Sequence, residues 1–395
     1  MDADTRKAYH KTSATVRWGK RKVVLDIPVD VFSSHQLDLG TSFLLRRMTA
    51  GKAKGKTALD VGCGYGAIAL YLAATGIGND VVGIDRDALA VAFADWNAER
   101  NGIESVAFQP GLVYDGVAER RFDLVVANVP AKAGEGVHRI FLLGARDHLT
   151  PDGEIWVVVV RPLEGAIDAI LDHENIQLRG KDTRPGHVVY RYAFRGPVPV
   201  PERPYDRGTK TFSWRSTSYR LQAWHGLPEF DSLSVDTELG FELLAGRLKG
   251  DRIKSIAVWN PGHGHLPVFL GKTSRVPIEL RLCARDVLAI EATRRNLQLN
   301  QFTGSVEDRL SIDPPVGDDA WRPELIVARL GSALSDRLTA GVVARWFTDH
   351  PDCDVIVTGR AAFCHRVEQR LVRRGIQVVR RLKRKGFSAA HLRDR

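Results

Sequence analysis

The sequence predicts an α/β protein of two tandem domains, each a doubly wound and mostly parallel sheet, the second a degenerate duplicate of the first. Three observations predict it. Strand-like and helix-like segments alternate through the first half, the pattern that covers a parallel sheet with helices on both faces. A glycine-rich turn between strand and helix occurs twice, in "DVGCGYGAIAL" from Asp60 and "VWNPGHGHLPVFL" from Val258. Matches at a nearly constant offset then run in the same order through both halves.

Element by element, "TALDVG" from Thr57 reads as a buried strand and "AIALYLAATG" as an apolar helix stopped by glycine. "DVVGID" is the next strand, and "ALAVAFADWNAERNG" a helix ending in Asn-Gly. "FDLVVANVP" is a further strand, "GVHRIFLLGARDHLTPDG" a helix, and "EIWVVVV" another strand. Ahead of these, "ATVRWGKRKVVLDIP" reads as extra strands placed before the sheet begins. In "RGPVPVPERPYDRG", Arg195 to Gly208, neither period survives and proline stiffens the chain, which marks a linker. The expected division is a first domain over 1–196, a linker over 197–209 and a second domain over 210–395.

The repeat is carried by particular residues. Asp38 in "HQLDLGTSFLL" aligns with Asp236 in "LSVDTELGFELL", 198 residues later, and Gly64 and Gly66 align with Gly262 and Gly264 at the same offset. Asn97 and Asn101 align with Asn296 and Asn300 at 199, and Asn128 aligns with Arg329 at 201. Two like lobes in one chain are compatible with a monomer, and the sequence leaves the oligomeric state open.

A chain of 395 residues is too long for one core, which agrees with two domains. Its 44% hydrophobic and 26% charged residues exclude a disordered or fibrous chain. The formal charge of +10 calls for a polyanionic partner, nucleic acid before membrane. The longest aliphatic run, "IWVVVV", falls far short of the roughly 20 residues that span a bilayer. The start "MDADTRKAYHK" lacks the apolar segment of a secretory signal. Four cysteines without C-x-x-C spacing argue against a zinc site or a disulfide framework, so no metal is expected and a cytoplasmic location is.

In a doubly wound sheet, ligands gather at the carboxyl ends of the strands. Asp60 stands at the first such end, followed by Gly62, Cys63, Gly64 and Gly66. The glycines let backbone approach a ligand closely. Asp85 ends the second strand, nineteen residues after Gly66, where a carboxylate can accept both hydroxyl hydrogens of a ribose. Asn128 ends a later strand and is followed by Val129 and Pro130. The loop also satisfies the G-x-G-x-x-A dinucleotide pattern, so by itself it does not separate NAD from S-adenosylmethionine. Asp60 favours the latter, since a negative charge there repels a pyrophosphate and attracts a cationic methionine moiety.

"DVGCGYG", "GIDRDALAVAFADWNAERN" and "FDLVVANVP" resemble the class I S-adenosylmethionine-dependent methyltransferases. The lead-in "DVFSSHQLDLGTSFLL" narrows this to a resemblance to the bacterial two-domain ribosomal-RNA guanine-N2 methyltransferases, in which one methyltransferase-like domain is degenerate. The resemblance implies a Rossmann-like fold for both halves and S-adenosyl-L-methionine as cofactor. It implies that Asp60 to Gly66 bind the methionine part, and that Asp85, with Arg86 beside it, holds the ribose. It places Leu112 near the adenine amine, where relatives carry an acid, with Asp115 as an alternative. It also implies that Asn128 and Pro130 hold the target amine, Asn128 reaching the cofactor as well. The family's Asn-Pro-Pro is followed by an aromatic ring that stacks on the base. Here the run is Asn128-Val129-Pro130-Ala131-Lys132, and the ring is absent.

In the second half Asp60 maps to Val258, Gly62 to Asn260, Asp85 to Cys283 or Ala284, and Asn128 to Arg329. The expectation is a lobe that folds without binding cofactor and helps to hold RNA. His263 and His265 in "PGHGH" lack further ligands for a metal and read as loop histidines. The tail "RLVRRGIQVVRRLKRKG" offers Arg373, Arg374, Arg380, Arg381, Lys383, Arg384 and Lys385 to phosphates. The aromatics of "KTFSWRSTSYRLQAW" either stack bases or, the favoured reading for the tryptophans, belong to the core. The function expected is N-methylation of structured RNA at a guanine amine of ribosomal RNA. The alternatives are methylation of a protein amide or a small-molecule amine, and a non-catalytic RNA-binding scaffold.

Overall fold

The computed structural model describes residues 1, 3–19, 21–31, 37–248, 253–312, 321–331 and 334–394. Residues 32–36 of the lead-in lie outside them. The chain forms two compact units that meet between Tyr205 and Asp206. The start of the proline-rich stretch belongs to the first unit, where Val198, Val200 and Tyr205 pack on its core, and a strand of the second unit begins at Asp206.

The first unit runs α1 (Ala3–Tyr9), β1 (His10–Trp18), β2 (Arg21–Pro28), α2 (Leu39–Ala50), β3 (Thr57–Val61), α3 (Ala67–Thr75), β4 (Asp80–Asp85) and α4 (Ala88–Arg100). It continues with β5 (Val106–Pro110), β6 (Phe122–Asn128), α5 (Glu135–Leu143), β7 (Leu149–Val160), α6 (Glu164–Leu171), β8 (Ile176–Arg184) and β9 (His187–Phe194). Seven strands form one sheet in the order β5-β4-β3-β6-β7-β9-β8. β3 to β7 pair in parallel, and β9 returns antiparallel between β7 and β8. Because side chains alternate along a strand, Leu59, Val61, Val125 and Ala127 face a core shared with Val137 and Phe141 of α5 and Ile167 of α6. Asp60 and Asn128 lie on the opposite face.

β1 and β2 form a separate hairpin, in agreement with the extra strands expected ahead of the sheet. The hairpin is held by α4 through two asparagines one turn apart. Asn97 Oδ1 accepts from the Asp26 N–H at 2.7 Å and its Nδ2 donates to the Asp26 carbonyl at 3.0 Å. Asn101 makes the same pair of bonds with Val24, at 2.9 and 2.8 Å. Each amide thus acts as one more rung of backbone pairing for β2.

One expected helix is too long. The α-helix in "GVHRIFLLGARDHLTPDG" ends at Leu143, a 3₁₀ stretch covers Gly144–His148, and β7 already begins at Leu149. The Gly144 backbone lies against Tyr114 and Ile140, and a Thr-Pro-Asp-Gly run is poor helix material. The final antiparallel pair, β8 and β9, extends the sheet beyond the strands that periodicity predicts.

The second unit runs β10 (Asp206–Trp214), β11 (Thr217–Trp224), α7 (Val235–Arg247), β12 (Ser255–Trp259), α8 (His265–Thr273), β13 (Glu279–Ala284), α9 (Val287–Leu299) and β14 (Ser305–Leu310). It ends with β15 (Leu325–Arg329), α10 (Asp336–Asp349), β16 (Asp354–Arg360), α11 (Ala361–Val372), β17 (Gln377–Arg384) and β18 (Phe387–Arg393). Its sheet order, β14-β13-β12-β15-β16-β18-β17, repeats the first strand for strand. The hairpin β10–β11 is repeated too, held by Asn296 on Gln222 and Asn300 on Arg220. The hairpin aromatics go inward: Phe212 and Tyr219 are buried, and Trp214 packs edge-on against Phe241 and Phe269. Among the described residues no helix is long and apolar enough to cross a membrane.

Candidate active site

The crevice of the first unit is built where β3, β4 and β6 end side by side. The turn after β3 is tight because three glycines take left-handed backbone: Gly62, Gly64 and Gly66 have φ of 74°, 55° and 88°. Gly66 also lets α3 start against α4, since a Cβ there would lie 2.9 Å from Phe108 and 3.0 Å from Ala94. At Gly64 a Cβ would meet open space, so its bare backbone faces the mouth of the crevice.

The two carboxylates are engaged with this turn. Asp85 Oδ2 accepts the Gly64 N–H at 2.9 Å, and its Oδ1 accepts the Asp87 N–H at 2.9 Å. Asp60 is fully buried. Its Oδ2 accepts the Ala69 N–H of α3 at 3.0 Å, and among the described residues its Oδ1 has no partner. Burial, followed by the neighbouring Asp85 charge, pushes the Asp60 carboxyl up to about 8. Burial raises Asp85 as well. Cys63 is buried behind the turn, its thiol held well above its ordinary range by burial and then by Asp85 and Asp60. The pocket resists further negative charge and suits a cation.

Arg86 is half-buried beside Asp85. Leu112 lies in the turn after β5, which is tied to the end of β4 by the Gly111 N–H on the Asp85 carbonyl. The Leu112 N–H donates to Asp115 Oδ2 at 3.3 Å, so both residues expected near the adenine belong to one short turn.

Asn128 is oriented by α2. Its Nδ2 donates to Asp38 Oδ2 and to Thr41 Oγ1, each at 3.0 Å. A carboxylate accepts and does not donate, so Asp38 fixes which end of the amide faces it. Oδ1 of Asn128 is left outside these bonds, as an acceptor. Asp38 is also the cap of α2, accepting the Thr41 N–H at 2.8 Å. The Pro130 carbonyl is already taken: buried His138 of α5 donates to it from Nε2 at 3.0 Å, and the Ala133 N–H donates to it at 3.4 Å. The structure therefore brings Asp60, Asp85, Gly64 and Asn128 to neighbouring strand ends, and leaves Pro130 engaged with the protein. Thr41 and His138 carry no recognisable sequence signal, although Thr41 stands three residues after a capping Asp.

The matching crevice of the second unit keeps the backbone and loses the polar groups. Asn260, Gly262 and Gly264 repeat the left-handed turn with φ of 54°, 61° and 90°. Register places Ala284 opposite Asp85's position, because the Asn260 N–H bonds the Cys283 carbonyl as the Gly62 N–H bonds that of Ile84. Arg329 occupies the place of Asn128. It donates from Nε to Asp236 at 2.9 Å, from Nη1 to Glu229 at 2.7 Å and from Nη2 to Ser234 at 2.8 Å. Burial alone would raise Glu229, but Arg329 outweighs it and holds the carboxyl at about 2. His263 and His265 are buried rather than loop-exposed. His263 bridges the Pro228 carbonyl and the Trp224 N–H, and His265 bridges Tyr219 and the Glu229 carbonyl. One repeat match is also corrected. The caps and the buried positions of α2 and α7 coincide at an offset of 196, which pairs Asp38 with Ser234 and Thr41 with Thr237, not Asp38 with Asp236.

Residues 23–190 match the model of the methyltransferase small domain. The chain is 36% identical over 142 residues to the uncharacterized protein YbxB of Bacillus subtilis, covering 35% of this chain and 69% of that one. It is 34% identical over 139 residues to ribosomal RNA small subunit methyltransferase C of Acinetobacter baylyi, 33% of this chain, and spans only 40% of that relative's length. In fold it is similar to the Thermus thermophilus 16S rRNA N2 methyltransferase solved with AdoMet and guanosine, with a TM-score of 0.70 and 16% identity over 99% of this chain and 100% of that one. The chain belongs to the methyltransferase small-domain family, the S-adenosylmethionine-dependent methyltransferases that its first half resembles.

Proposed function

We propose that the first unit methylates an exocyclic amine of structured RNA, a guanine N2 of ribosomal RNA, and that the second unit helps to hold that RNA. The observation that carries the reading is Asn128, fixed by Asp38 and Thr41 with its carbonyl oxygen outside their bonds, beside the strand-end carboxylates of Asp60 and Asp85. S-adenosylmethionine, when bound, supplies the methyl group of its sulfonium. Its fit rests on this chain's residues: the bare Gly64 backbone, the unsatisfied Asp60 oxygen and the Asp85 carboxylate held against the turn. Asn128 Oδ1 and the Val129 carbonyl accept the two amine hydrogens and aim the nitrogen lone pair. Val129 replaces Pro130 in this role because His138 already holds the Pro130 carbonyl. Methyl transfer needs position more than a strong base, since the nitrogen sheds its proton once it becomes cationic.

The net charge supports RNA over a protein or small-molecule acceptor, as does the kind of protein the chain is similar to. On the basic tail, Arg380, Arg381 and Arg384 pair with Glu242, Glu368 and Glu238, which leaves Arg373, Arg374, Lys383 and Lys385 for phosphates. The test is transfer of labelled methyl from the cofactor to total RNA or total protein, with Asp85→Ala as control. Label in RNA, abolished by the substitution together with cofactor binding in calorimetry, is expected. Label in protein alone overturns the RNA reading.

A further inference from the structure

We infer that Arg184 is the platform on which the acceptor base stacks, in place of the aromatic ring missing after Asn128; this rests on the proposed RNA acceptor. Four observations converge. Arg184 ends β8 at the mouth of the crevice, where its Nη2 donates to the carbonyl of Leu39, the residue after Asp38. Asp38 in turn holds Asn128, so the guanidinium stands one residue from the group that orients the acceptor. Its central carbon lies 4.7 Å from the centre of the Phe43 ring, which backs the cation with an aromatic support. Leu39 beside it is 59% exposed, an apolar surface at the same mouth.

The Arg184 guanidinium feels the Asp38 carboxylate and the Arg46 charge but belongs to no ion pair among the described residues. Among the same residues its buried Nε has no partner. Its neighbours on the same strand are neutralised: Arg179 by Glu154, and Lys181 by Glu164 and Asp168. The duplicated lobe sharpens the point. Arg384 occupies the same place, opposite Phe387 across the β17–β18 turn as Arg184 is opposite His187. There the guanidinium is bound by Glu238 of α7. At the offset of 196 that aligns the two helices, Glu238 corresponds to Ser42. The lobe with an intact crevice lacks the acid that would hold the cation, and the lobe without one has it. A guanidinium plane stacks on a base as an aromatic ring does, and its charge suits an RNA ligand.

The test compares Arg184→Ala, Arg184→Lys and Arg384→Ala by steady-state methylation of RNA at saturating cofactor, with calorimetry for cofactor binding and a melting curve for folding. Arg184→Ala is expected to lower kcat/KM for RNA about 10- to 100-fold, the range of one lost base stack. Arg184→Lys keeps the charge but not the plane, and is expected to recover little. Both should bind cofactor as the unaltered protein does, and Arg384→Ala should methylate RNA normally. Full activity in Arg184→Ala overturns the inference. Full activity in Arg184→Lys overturns stacking in favour of a charge contact. An unaltered protein that binds cofactor but methylates no RNA removes the acceptor reading and the role of Arg184 with it.

Discussion

The two crevices share a backbone and differ in what fills it. At 62, 64 and 66 and at 260, 262 and 264 the chain takes the same left-handed turn, with asparagine standing in once for glycine. Asparagine tolerates that region better than other side chains. In the first crevice the strand ends carry Asp60, Asp85 and Asn128; in the second, Val258, Ala284 and Arg329. Arg329 brings its own counter-charges, Glu229 and Asp236, and the second crevice closes on an internal ion pair where the first is arranged for a ligand. A duplicated fold can lose its polar strand ends without losing its loop, provided a side-chain network that satisfies itself takes the vacated space.

The comparison breaks most visibly at Arg329. Arg329→Ala leaves the carboxylates of Glu229 and Asp236, both buried, without their partner. Breaking such a pair from one side costs about 3–5 kcal/mol, mostly the burden of stranded charge. The expected result is an early unfolding transition of the second unit in urea, with cofactor binding by the first unit unchanged in calorimetry. An unaltered transition would mean that Arg329 does not hold that crevice together.

Much of this asymmetry is legible in the amino-acid sequence, because it lies in residue identity at strand ends. Asp60, the glycines, Asp85 and Asn128 stand out as polar or small residues closing apolar runs. What stays hidden depends on contacts between distant segments. Nothing local marks His138 as the partner of the Pro130 carbonyl, or sets Arg184 beside Leu39 some 145 positions earlier. The offset between α2 and α7 is obscured because matching letters, Asp38 and Asp236, outweigh the capping pattern that the backbone obeys. The β8–β9 pair escapes a reading by periodicity because its exposed edge strand, "IQLRGKDTR", has too few apolar residues to show a period.

A milder substitution tests whether the lobes are equivalent where no ligand is involved. Asn97 and Asn296 make the same bonds, to Asp26 and Tyr65 in one lobe and to Gln222 and His263 in the other. Alanine at either place strands buried backbone groups, at about 2–3 kcal/mol. Equal losses in the two lobes, read by denaturant unfolding, identify a structural rung retained from the duplication. A loss confined to Asn97 would tie that residue to the crevice instead.

The smallest expected effect is a proton. Asp60 titrates near 8 in the folded protein, against about 3.8 when free, and its counterpart is Val258, which cannot titrate. A raised carboxyl means that the native state holds a proton the unfolded chain has released. Asp60 therefore lowers stability progressively from about pH 4 to 8, with no further change above that. A cationic ligand next to it favours the charged form and reverses the sign for binding, expelling the proton. Cofactor affinity should then rise with pH toward 8, by at most about tenfold per unit. At pH 7 the binding heat should depend on the ionisation enthalpy of the buffer. Asp60→Asn should abolish both the proton release and the slope, while leaving Asp85 to hold the turn. If the unaltered protein binds with no proton release and the same pH profile as the variant, Asp60 belongs to the packing of α3 and the ligand's charge is met elsewhere.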